Sequence, residues 1–117
     1  MRRVVVTGVG VISATGTGVE KNWNALMSGE SGIDLITRFD ASGLPSRIAG
    51  EVKDFDGEQY MEKKDLRKND LFIQYAVAAA DMALQDSGLE ITEANAERVG
   101  VLVGAGLGGL PTLERCH

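Results

Sequence analysis

The sequence has little of the chemistry that builds a site unaided. Its 117 residues include one cysteine, Cys116, and one histidine, His117. A lone cysteine excludes a disulfide within the chain, and with a single histidine it leaves no zinc cluster. Scarce cysteine fits a reducing compartment, and a cytoplasmic location is expected. No apolar stretch nears the roughly 20 residues that cross a bilayer, so no membrane partner is expected. Met1-Arg2-Arg3-Val4-Val5-Val6 has too brief an apolar part for a secretory signal. A net charge of −5 lacks the basic excess of a general nucleic-acid binder. What is plentiful is apolar content, 44% against 25% charged, which belongs to a globular rather than a disordered chain.

Arg3 to Thr7 is expected as a strand, with Val4-Val5-Val6 buried on both faces as in a central parallel strand. Gly8 to Gly16 follows as a turn. Thr17 and Glu20 have the spacing of a capping box, opening a helix with Val19, Trp23, Leu26 and Met27 on one face and Gly29 at its end. Residues 30–56 are expected to be loop-rich, with a short strand near Ile48 to Val52. A long, central, buried helix is expected over Leu66 to Ser87, with Ile73, Ala76, Val77, Ala80 and Leu84 as its stripe and Gly88 as its C-cap. Arg98 to Val103 is expected as a second buried strand, and Pro111 begins another helix. The order β-α-loop-α-β-α is α/β, a parallel sheet covered by helices. Two strands make a poor parallel core, so the chain is expected to be the front portion of a longer protein.

Three features could carry chemistry. "GAGLGG", Gly104 to Gly109, matches G-x-G-x-x-G between an apolar run and a helix start. It follows the second long strand, whereas dinucleotide folds place it after the first. Pro111 also removes a donor, and Leu107 is bulky. The glycines therefore serve either a phosphate or a close backbone approach or positive φ. Cys116 and His117 are neighbours in sequence and do not face each other on a helix, which argues against a thiol-imidazole pair. Lys63, Lys64, Arg67 and Lys68 stand against Asp65. Lys64, Arg67 and Lys68 at i, i+3, i+4 share a helical face. They are either a solvated face or, being cations at a helix start against the macrodipole, a seat for an anionic partner. Asp54, Asp56, Glu58, Glu90, Glu93 and Glu97 have no paired spacing for acid-base work and are read as solubilising.

Four stretches occur in order along essentially the whole chain: "RRVVVTGVGVISATG", "ITRFDASGLPSRIAGEVKDFD", "FIQYAVAAADMALQDSGLEIT" and "RVGVLVGAGLGGLPTLE". Together they resemble the N-terminal region of the β-ketoacyl-[acyl-carrier-protein] synthases, the condensing enzymes of type II fatty acid synthesis. "RFDASGLPSRIAGEV" and "FIQYA" favour subtype II. The resemblance implies a thiolase-like layered α-β-α-β-α fold in a homodimer, with residues 1–117 an incomplete domain, about its first quarter. It implies an acyltransferase that joins an acyl chain to malonyl-acyl carrier protein, using a cysteine nucleophile and two histidines and no metal or other cofactor. None of those three residues maps onto this chain; Cys116 and His117 lack the family's motifs, so the chain by itself is expected to be inactive. The resemblance does assign Gly106, Leu107 and Gly108 to the rim of the acyl pocket, with Leu107 as its gate. It assigns Lys64, Arg67 and Lys68 to docking of the acidic acyl carrier protein. A non-catalytic partner subunit of the chain-length-factor type, or a nucleotide-binding domain, are the alternatives.

Overall fold

The computed structural model describes residues 2–117. The chain divides into two compact units, one formed by Val11–Asp56 and the other by the residues up to Gly10 together with Gly57–His117.

In the first unit, β1 (Ile12–Ser13) and β2 (Gly16–Thr17) form an antiparallel hairpin. Helix α1 (Val19–Ser28) follows, and then a second antiparallel hairpin of β3 (Ile33–Leu35) and β4 (Ile48–Gly50). Ile33 faces Gly50 and Leu35 faces Ile48. The expected strand near Ile48 is present, and Ile33–Leu35, expected as loop, is its partner. The capping box does not form. Gly18, at φ 95°, takes the N-cap position without a side-chain cap, and Thr17 instead points its amide and hydroxyl at the Asp54 carboxylate, both at 3.3 Å. Asn22 does the local work. Its side-chain amide donates to the carbonyls of Gly16 and Gly18 at 2.7 and 2.8 Å, and its carbonyl oxygen accepts from Ser13 and Thr15. Gly29, at φ 72°, ends α1 as expected, its amide on Leu26 and that of Glu30 on Ala25, the paired bonds of a Schellman turn.

In the second unit, α2 (Lys63–Leu66) is short and α3 (Leu71–Ser87) is long. A single helix from Leu66 does not form, because Asp70 is extended (ψ 158°) and breaks it. Asn and Asp compete for local backbone hydrogen bonds and favour such breaks. Gly88, at φ 63°, caps α3 as expected. Helix α4 (Leu110–Cys116) carries Pro111 in its first turn, also as expected.

The two expected parallel strands are not laddered among the described residues. Val4 is 93% exposed and Leu102 98%. Each segment is apolar on both faces, and among the described residues neither pairs with another strand. Residues 8–10 instead lie along α3. A Cβ at Gly8 would strike the Ala83 carbonyl, one at Gly10 the Ala79 carbonyl, and the Val9 amide donates to Asp86 Oδ2 at 2.8 Å. So α3 is less buried than expected. Ala78 is its only fully buried residue among those described, and Val77 and Leu84 of the expected stripe stay exposed.

Candidate functional site

Both candidate sites lie in the second unit, at the N-terminal end of α3. The first is the cationic turn. Lys64 lies on α2, and Arg67 and Lys68 follow it in the same turn, where the amides of Lys68 and Asn69 both bond the Asp65 carbonyl at 3.0 Å. The three cations therefore sit on a short turn before α3 and not on the long helix itself. A four-residue helix has little macrodipole, so the argument from an unfavourable dipole does not hold. The turn is well pinned all the same. The Gln74 side-chain amide donates to the carbonyls of Leu66 (3.2 Å) and Asn69 (2.8 Å), and the Asn69 amide group to that of Asp65 (2.9 Å). These bonds satisfy carbonyls that a helix end would leave open.

The cations differ in their partners. Lys63 pairs with Glu58 at 3.2 Å and Lys64 with Glu62 at 2.7 Å, all four side chains exposed. Such pairs contribute about 0–1 kcal/mol and yield readily to a competing anion. Arg67 and Lys68 are exposed and have no ion pair among the described residues. Of the carboxylates read as solubilising, Glu58 is thus tied to Lys63. Asp54 is structural: it holds Thr17 and pairs with Lys21 at 2.5 Å. The Lys21 hydrogen bond, above all, keeps its carboxyl below the usual aspartate range.

The second candidate is the glycine loop. From Val101 the chain passes beside α3. Val101, Val103 and Ala105 face Phe72, Ile73, Ala76 and Val77 across a groove of about 400 Å³. This alternation is the period of a strand, and it turns Leu102 away. Ala105 lines the groove, whereas Leu107, 74% exposed, does not. None of Gly104, Gly106, Gly108 and Gly109 has positive φ. Gly104 and Gly106 have open space where a Cβ would stand. Close approach explains the last two. A Cβ at Gly108 would come within 3.0 Å of the Phe72 ring, and one at Gly109 would strike Asp70 Oδ2.

The first turn of α4 offers a phosphate no free amide at Leu110, Thr112 or Leu113. The Leu110 amide is bonded to Gly108, those of Thr112 and Leu113 to Gly109, and Pro111 has none. The mouth of the turn already holds a carboxylate, since Asp70 Oδ1 accepts the Thr112 hydroxyl at 2.8 Å. Cys116 is exposed at the last turn of α4, and His117 follows the helix. Glu51 and Asp70 are not legible in the sequence, because each is an isolated acid whose partners lie elsewhere along the chain.

No helix among the described residues is long and apolar enough to cross a membrane. The profile of the β-ketoacyl synthase N-terminal domain matches residues 1–116. The 3-oxoacyl-[acyl-carrier-protein] synthase 2 of Vibrio harveyi is 60% identical over 99% of this chain, and that of Coxiella burnetii is 53% identical over 97%. The chain spans about 28% of the length of each relative. A solved structure described as the ishigamide ketosynthase/chain length factor superposes with a TM-score of 0.68 at 48% identity, covering 76% of this chain and 22% of that one. The chain belongs to the β-ketoacyl synthase N-terminal domain family.

Proposed function

We propose that the full-length protein is a β-ketoacyl-[acyl-carrier-protein] synthase of fatty-acid elongation, and that residues 1–117 supply its carrier-docking turn and part of its acyl-pocket rim. The observation that carries this reading is 60% identity to a 3-oxoacyl-[acyl-carrier-protein] synthase 2 along nearly the whole chain. In the reaction, an acyl group passes from the carrier protein's thioester to a cysteine thiolate, and the carrier's thiol leaves. Malonyl-carrier protein loses carbon dioxide, the resulting carbanion attacks the acyl carbonyl, and the thiolate leaves. Covalent capture and oxyanion stabilisation supply the rate. The nucleophile and histidines are assigned to no residue of this chain, and Cys116 and His117 are given no part.

Lys64, Arg67 and Lys68 dock the acidic carrier protein, with Arg67 and Lys68 available without breaking an ion pair. Gly106, Leu107 and Gly108 border the acyl chain, and the exposed Leu107 gates it. The apolar segments around Val5 and Leu102 belong to the sheet of a layered thiolase-like fold, in a cytoplasmic homodimer. The test is charge reversal. Arg67→Glu with Lys68→Glu in the full-length enzyme should raise KM for acyl-carrier substrates roughly tenfold or more, because interfacial charges govern association. Turnover of a small free thioester should stay nearly unchanged. Equal loss with both substrates would make the two residues structural.

A second reading has one observation in its favour: the solved neighbour pairs a ketosynthase with a chain length factor. A partner subunit of that kind would keep the fold without the nucleophile. The side chain at the family's cysteine position in the full-length protein separates the two.

A further inference from the structure

The glycines of the loop are closely seated at one end only. Gly104 and Gly106 touch nothing where a side chain would stand, and Leu107 is exposed. The fixed point is Gly108–Gly109, seated against Phe72 and Asp70 at the first turn of α3. Asp70 is unusual for its place. It occupies the N-cap position of α3, yet its carboxylate does not cap that helix. It reaches across 42 residues of sequence to accept the Thr112 hydroxyl at 2.8 Å, with its side chain only 16% exposed. Arg115 supports this pair from outside. Its guanidinium donates to Thr112 Oγ1 at 3.0 Å and stands 3.9 Å from Asp70 Oδ1. On its other side, Asp70 directly follows the turn of Arg67 and Lys68, which Gln74 and Asn69 fasten to α3.

We infer that Asp70 is a positioning residue that clamps the glycine loop, and with it Leu107, to the turn bearing the docking cations. The clamp is the Asp70–Thr112 hydrogen bond together with the close seat of Gly109. It sets where Leu107 stands, and so how sharply the enzyme discriminates among acyl lengths. This last consequence rests on the proposed gate role of Leu107; the clamp itself does not.

The experiment uses the full-length enzyme and two readouts. Hydrogen exchange at Leu110, Thr112 and Leu113, whose amides bond the carbonyls of Gly108 and Gly109, reads the clamp directly. Asp70→Ala and Thr112→Val should each speed exchange there by about tenfold, as expected for losing a hydrogen bond to a charged group. The double variant should add little to either. Asp70→Asn keeps an acceptor oxygen for Thr112 without its charge and should exchange between the parent and Asp70→Ala, which separates the clamp from a general loss of folding. The second readout is the kcat/KM ratio of long to short acyl primers in a Leu107→Phe background. Leu107→Phe should depress that ratio, and adding Asp70→Ala should restore it by roughly tenfold while adding Asp70→Asn should restore it less. Unchanged exchange in Asp70→Ala and Thr112→Val overturns the clamp. A Leu107→Phe ratio equal to the parent's overturns the gate and leaves the clamp to stand on its exchange result.

Discussion

Glu51 and Asn22 are the buried polar side chains of the first unit, and each is fully engaged. Glu51, at 8% exposure, accepts the hydroxyl of Thr37 at 2.7 Å and the amides of Thr37 and Arg38 at 3.1 and 3.2 Å. The Thr37 hydroxyl, first of all, holds its carboxyl below the usual glutamate range, with the two amides adding and partial desolvation opposing. A carboxyl that binds its proton less readily when folded stabilises the fold above its unfolded pKa, near 4.3, and loses that stabilisation as pH falls through the lower folded value. The β3–β4 hairpin should therefore loosen in acid. Glu51→Gln should flatten this part of the profile, because the amide cannot gain charge. It should also lower stability at neutral pH, where the charged acceptor is strongest. Thermal melts of parent and variant from neutral pH down to about pH 3 check this. A difference between them that stays constant with pH would show that Glu51 contributes by packing alone.

At the scale of elements, what the sequence disclosed follows how local each signal is. The glycine caps of α1 and α3 were legible because positive φ is a property of one residue, and both Gly29 and Gly88 adopt it. The strand at Ile48 was legible from its own run of residues. Its partner at Ile33 was not, since pairing depends on a segment fifteen residues away. The capping box failed for a similar reason: Thr17 had a better acceptor in Asp54, 37 residues on. The cationic cluster was legible as composition, but its seat on a separate turn depended on the break at Asp70. The glycine loop is legible from its letters, yet only the structure shows that Gly108 and Gly109 are its closely seated glycines. The capping glycines give a direct measurement. Gly29→Ala puts a Cβ into the left-handed region at a cost of about 1–2 kcal/mol. Nothing crowds that position, so the cost should be conformational alone. Amide exchange in α1 should quicken roughly five- to thirtyfold, while α3, in the other unit, stays at the parent rate.

At the scale of the whole molecule, the dominant fact is apolar surface without cover. Val4, Val5 and Val6 at one end and Val101, Leu102 and Val103 at the other are exposed, and no described side chain of large volume is fully buried. Each of these residues contributes about 1.5–3 kcal/mol when buried, and in this chain that contribution is largely unrealised. Backbone groups along both segments are likewise open to pairing. The isolated 117-residue chain should therefore behave as an incompletely packed protein. It should bind a hydrophobic dye, self-associate as concentration rises, and melt without a sharp transition. Exchange protection should be confined to α1, the β3–β4 hairpin and α3. It should show no turnover of acyl- and malonyl-carrier protein, and Cys116→Ser should change nothing. Introducing Val5→Lys and Leu102→Lys together should suppress the self-association, because charge on an exposed strand blocks edge pairing. Sedimentation of parent and variant across a concentration series gives the comparison. A parent chain that stays monomeric and melts cooperatively would mean that the two apolar segments pair with each other inside this chain, and that the core is complete without further sheet.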